Sequence, residues 1–172
     1  MSAALRIAPL VFVAAVLQVS AIAGTRILGA EPDLLLVTVV AVGLVAGSIA
    51  GAGAGFAAGL LVDVMTLGVL GTTAIILTPA GYWAGRYGET TGRGRRYAAP
   101  LAAFAISIAA GLGGVAIHFL LGQPVSAREA LVTLLPSALL AALLVLPIVR
   151  LCRVVIAPPP HQYEPARRVE LV

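Results

Sequence analysis

Charge is the first thing this sequence has little of. Only 10% of its 172 residues are Asp, Glu, Lys or Arg, against about 25% in an ordinary soluble domain. With 60% hydrophobic residues and a mean hydropathy of +1.07, the chain has too little polar surface to stay in water. Lysine is absent, so all 11 basic residues are Arg. The single Cys152 excludes an intramolecular disulfide framework. No His, Cys, Asp or Glu group has metal-ligand spacing. No Gly-x-Ser-x-Gly elbow occurs, and no acidic pair shares one helix face. Neither a catalytic constellation nor a cofactor or metal site is visible.

What the chain does have is apolar runs. A helix needs about 20 apolar residues to cross a hydrocarbon core of about 30 Å. The first run, 7–23, follows Arg6. It reads as an uncleaved helix, although a positive end before an apolar stretch also resembles a signal peptide, with cleavage after Ala23. Residues 34–62 then contain no charge in 29 positions. One helix of that length would measure about 44 Å, too long for the bilayer without severe tilt. Gly47-Ser48 offers a turn, so the run reads as two helices, 34–48 and 50–66. Further helices are expected at 69–85, 98–121 and 130–151, with Arg86 to Tyr97 as a basic loop after the fourth. The fold expected is all-α, a polytopic six-helix membrane bundle over residues 1–152. A flexible cytoplasmic tail over residues 153–172 contains Pro158-Pro159-Pro160.

The arginines orient this bundle. With six spans and the N-terminus inside, nine Arg lie on the cytoplasmic side, including Arg6, Arg86, Arg93, Arg95 and Arg96. Only Arg26 and Arg128 lie outside. Merging residues 34–62 into one span would put the Arg86–Arg96 loop on the opposite side from Arg6, against the positive-inside rule. Arg86, Arg93, Arg95 and Arg96 are therefore the topology-setting set. The pI near 10.0 reflects membrane orientation, and no nucleic-acid partner is expected.

Two features single out helix surfaces. Gly43, Gly47, Gly51, Gly55 and Gly59 recur every four residues. Small residues at this spacing let helix backbones approach closely, since lipid supplies no hydrophobic drive for association. Packing inside the bundle is one use of the Gly51, Gly55, Gly59 stripe; a seam between two copies, making a homodimer, is the other. Asp63 is the only charged residue between Asp33 and Arg86. A carboxylate in hydrocarbon costs at least about 2.5 kcal/mol and needs a partner. Two roles stay open for it. One is a local helix-end contact with backbone or with Thr66, Thr72 or Thr73; the other is a polar contact to another membrane protein or a coupling ion. His118, Gln18 and Cys152 carry weaker signals, as an interfacial residue, an inter-helix hydrogen-bonder and a free thiol.

Read in order, Pro32-Asp33-Leu34-Leu35-Leu36, Gly55-Phe56-Ala57-Ala58-Gly59-Leu60-Leu61-Val62-Asp63 and Gly81-Tyr82-Trp83-Ala84-Gly85-Arg86 resemble the rod shape-determining MreD family. The match is densest over residues 31–86. The resemblance implies a non-enzymatic membrane scaffold of the cell-elongation complex in the bacterial plasma membrane. Its implied partners are an MreC-like protein, with RodA and a class B penicillin-binding protein further along the same machinery, and membrane lipid. It also implies a likeness in fold to the six-helix substrate-binding subunits of energy-coupling-factor transporters, a likeness that imports no substrate. On this reading Gly51, Gly55, Gly59, Asp63, Gly81 and Gly85 form the helix-packing or partner interface. The alternative is a substrate-binding membrane subunit of a small-metabolite transporter. That needs a convergent polar pocket, and the midplane offers little beyond Ser107, Gln18 and a few Thr. A membrane enzyme of lipid metabolism would need acidic or His pairs at an interface, which the sequence lacks.

Overall fold

A computed structural model describes residues 3–22, 33–91, 98–120, 122 and 127–156. Six α-helices follow one another: α1 (Ala3–Leu17), α2 (Leu34–Ala46), α3 (Ser48–Met65), α4 (Thr72–Thr91), α5 (Ala98–Leu120) and α6 (Ala127–Ile156). A π-helical turn, Gln18–Ile22, continues α1. Three of them, α3, α5 and α6, are each long and apolar enough to cross a membrane. The other three are shorter or less apolar, so among the described residues six helices include three that are long and apolar enough to span.

The long apolar run 34–62 does divide in two, and at a single residue. Gly47 stands between α2 and α3 with φ +99°. Only glycine enters that region without a Cβ penalty, which is why the chain can reverse there. The resulting α2 has 13 residues, about 20 Å of helix, two thirds of a hydrocarbon core. Its position explains how so short a helix serves. α2 touches all five other helices, and every residue from Leu35 to Leu44 is buried. A helix apolar all round and covered by protein need not reach the headgroups, because its neighbours meet the lipid. The core is accordingly built from small and β-branched residues, with Val37, Val39, Val40, Val42 and Val145 fully buried.

Several boundaries differ from those expected. α4 begins at Thr72 and continues to Thr91, so Arg86 and Glu89 are helical and not part of a loop. α6 runs to Ile156, which places Cys152 and Arg153 on a helix and shortens the tail. Pro136 and Pro147 both lie inside α6, tolerated because membrane helices can re-satisfy the carbonyls that proline leaves free. Arg93, Arg95 and Arg96 lie outside the described residues, as does the connection expected at 86–97 beyond Thr91.

Candidate functional site

The candidate interface residues gather in one place, the antiparallel pair α3–α4. Three glycines of α3 lie against α4 in strict register. A Cβ on Gly51 would meet the Gly81 carbonyl, one on Gly55 the Leu77 carbonyl, and one on Gly59 the backbone of Ala74. Each step of about one turn up α3 is a step of about one turn down α4. From the α4 side the fit is equally close: a Cβ on Gly81 would fall on the Gly51 carbonyl, and one on Gly85 on the backbone of Ser48. α2 joins the same seam, for a Cβ on Gly43 would lie 3.0 Å from the Gly85 nitrogen. Glycine is required here because backbone faces backbone, and no flexible side chain can give way.

Polar caps lock both ends of this pair. The residues preceding α3 and α4 are Gly47 and Gly71, both at positive φ, +99° and +92°. Glycine has no side-chain oxygen to accept from the first N–H groups of a helix, so these donors need help from elsewhere. Each helix supplies it to the other. Asp63, near the end of α3, is 3% exposed. It accepts from the Gly71 nitrogen at 2.7 Å and from the Thr73 nitrogen at 3.2 Å. Glu89, near the end of α4, accepts from the Ser48 nitrogen at 2.8 Å and from its hydroxyl at 3.0 Å. Each carboxylate faces the N-terminal end of the helix it caps, where that helix's dipole favours negative charge.

The threonines near Asp63 bond elsewhere. Thr66 donates its hydroxyl to the Val62 carbonyl and Thr72 donates to that of Val69. Asp63 therefore binds backbone amides and not the Thr hydroxyls also considered from sequence. Glu89 escaped sequence reading because it fell in the stretch read as a loop. The glycine register was the available signal: aligning Gly51 with Gly81 brings the start of α3 beside the last turns of α4.

Capping by a carboxylate or amide recurs at α2. Asp33 accepts from the Leu36 nitrogen at 2.9 Å, and Gln18 accepts from the Leu34 nitrogen at 2.8 Å across sixteen positions of chain. Asp33 thus caps the start of α2. Elsewhere, Cys152 is fully buried in α6 and His118 is exposed near the end of α5. Among the described residues no group of three or more His, Cys, Asp or Glu could hold a metal ion.

The arrangement does mechanical work: it fixes two helices at backbone contact and presents the turn between them. In that turn Leu67 is 92% exposed, and Val69 and Leu70 are exposed beside it. Leu67 also stands at φ +54°, a left-handed conformation that costs a non-glycine residue about 1–2 kcal/mol. The caps on either side hold it there. No curated protein and no solved structure matches the chain, so the likeness to energy-coupling-factor subunits has no matched structure behind it. A family model for rod shape-determining protein MreD matches residues 3–155, nearly the whole chain. This integral membrane protein belongs to the rod shape-determining MreD family.

Proposed function

We propose that the chain is a non-enzymatic scaffold of the cell-elongation complex. It binds an MreC-like partner and thereby helps control side-wall peptidoglycan synthesis, with RodA and a class B penicillin-binding protein in the same assembly. The family membership supports the process, and the apolar tip between α3 and α4 carries the reading at the level of residues. Exposed Leu67, Val69 and Leu70 stand on a turn held by Asp63, so a partner meets a preformed surface at little ordering cost. The packing of the glycine stripe on α4 supports its use inside the bundle.

The test is copurification of an MreC-like protein with tagged variants. Val69→Ser with Leu70→Ser is expected to lower recovery at least tenfold at unchanged membrane level, a loss of about 1.4 kcal/mol or more. Ile49→Ser serves as control, since Ile49 is 86% exposed at the opposite end of α3. Equal recovery from both variants would refute the tip as the docking surface.

The orientation proposed puts both termini, the end of α4 from Arg86 and the connection after Thr91 in the cytoplasm of a bacterial cell and the α3–α4 tip outside. The nine-to-two division of the arginines supports it. In a Cys152→Ser background, an impermeant thiol reagent on intact cells should reach a cysteine at position 123. It should fail to reach one at 91 or 162. Efficient labelling at either of the latter would invert or break the six-helix topology.

A further inference from the structure

Charges at one end of the α3–α4 pair fix the depth of the turn at the other. Ser48 and Glu89 are level, since the Ser48 nitrogen and hydroxyl both donate to the Glu89 carboxylate. Arg86 lies about one turn deeper on α4. Both charged residues are exposed, and an exposed charge is costly in hydrocarbon, so this end stands at or beyond the membrane edge. From that level α3 has 18 residues, about 27 Å at the α-helical rise, against a hydrocarbon core of about 30 Å. Tilt only lowers the top of α3, as does a membrane edge closer to Arg86. The helix therefore ends within the opposite leaflet, and the turn crests at about its edge.

The turn is made for such a medium. Backbone exposed to lipid must satisfy its polar groups internally. Here the amides of Thr66, Leu67, Gly68 and Thr72 donate to carbonyls of α3 or of the turn itself. Those of Gly71 and Thr73 donate to Asp63, and the Thr66 and Thr72 hydroxyls fold back onto carbonyls. Among the described residues of the turn, the exceptions are the amides of Val69 and Leu70, at the crest and nearest the headgroups. No charged residue follows Asp63 until Arg86. Exposed Val64, Leu67, Leu70 and Ile75 surround the buried carboxylate with carbon. A turn in water needs neither feature, because solvent serves its amides. We infer that the α3–α4 turn is embedded in the membrane, covered by acyl chains of the leaflet opposite the Glu89 end, and does not project into water. A protein that docks on Leu67, Val69 and Leu70 must then reach them inside the bilayer, with an apolar transmembrane segment. That consequence rests on the docking reading above, whereas the depth of the turn does not.

Spin-label accessibility in purified full-length protein provides the test, in phosphatidylcholine–phosphatidylglycerol vesicles that contain no other protein. Nitroxides are attached to Leu67→Cys and Leu70→Cys in a Cys152→Ser background, and unchanged melting temperatures verify that the labelled chains are folded. Two collision partners report depth: molecular oxygen, which concentrates in hydrocarbon, and a neutral nickel chelate, which stays in water. Phe56→Cys, at an exposed position halfway along α3, gives the hydrocarbon reference. Thr90→Cys, at an exposed position just beyond Glu89, gives the aqueous one. At 67 and 70 oxygen access should exceed nickel access, as at 56, and the order should reverse at 90. Nickel access at either tip position equal to that at 90 would overturn the inference. Because no partner is present, this result and the copurification of the Val69→Ser, Leu70→Ser variant can fail independently.

Discussion

Gly55→Ala is expected to destabilise this protein while Gly53→Ala leaves it unchanged or improves it, although the two glycines are two residues apart on one helix. In a helix interior alanine is favoured over glycine by about 1 kcal/mol, and that gain applies to both. The difference comes from what each new methyl meets. At Gly53 there is nothing within 4 Å; at Gly55 the methyl falls on the Leu77 carbonyl carbon and oxygen. Backbone on both sides cannot rotate away, so α3 and α4 must separate and give up dispersion contacts that lipid does not restore. Overpacking of this kind costs about 1–3 kcal/mol, and Gly55→Leu or Gly59→Leu should reach or exceed the upper figure. Ala57→Leu, on an exposed position, should stay within about 0.5 kcal/mol. Thermal unfolding in detergent and steady-state membrane level would both report the order Gly59→Leu and Gly55→Leu lowest, Gly55→Ala intermediate, Gly53→Ala and Ala57→Leu at wild type. Equal behaviour of Gly53 and Gly55 variants would mean that the tight seam does not hold the helices together.

The second large effect is expected at Asp63, and it separates local structure from partner binding. Asp63→Ala leaves the Gly71 and Thr73 amides without their acceptor in a buried place. Loss of a charged hydrogen-bond acceptor there costs about 1.5–3 kcal/mol, and membrane level should fall accordingly. Asp63→Asn keeps one acceptor oxygen but turns an amide group toward backbone donors, so roughly half that loss is expected. At matched level, the Asn variant should still copurify an MreC-like partner. The reason is geometric: both carboxylate oxygens already accept from backbone amides, and the side chain is 3% exposed. Loss of partner binding by an Asn variant of normal level would assign the charge to an intermolecular ion pair instead, because a partner's cation would then be stranded. Normal level and binding in Asp63→Ala would remove Asp63 from the interface altogether.

The two predictions are coupled through one design. Positive-φ glycines make the short reversals at Gly47 and Gly71, and the same glycines deprive α3 and α4 of ordinary capping side chains. Glu89 and Asp63 supply the missing oxygens from the facing helix. The α3–α4 tip is consequently pinned at its base while its apolar side chains stay outside the bundle, as a docking surface requires. Because Gly43 also packs on α4, displacement of α4 would be felt directly by the central α2. A partner bound at the tip has a mechanical connection to the core.

Composition alone established a membrane protein, since a chain with 10% charged residues cannot cover itself with polar surface. Local geometry in the sequence placed a break near Gly47-Ser48, because one uninterrupted helix would overrun the bilayer. That Gly47 alone makes it, with Ser48 already in α3, came from the structure. The four-residue glycine spacing marked which face of α3 would pack, a consequence of helical period that needs no partner to be known. What packs there was beyond the sequence, because internal and intermolecular seams demand the same small residues. Only the tertiary register brought Gly81 and Gly85 to Gly51 and Ser48. Asp63 was legible as a residue in need of a partner, since an isolated charge in an apolar run is costly wherever the chain folds. Its partners, two backbone amides beyond the next turn, depended on where α4 begins, and helix boundaries answer to packing as well as to composition. Glu89 is the clearest case. In sequence it is one acid in a basic stretch, and it becomes a helix cap only because α4 continues far enough past Arg86 to reach Ser48, 41 positions earlier in the chain.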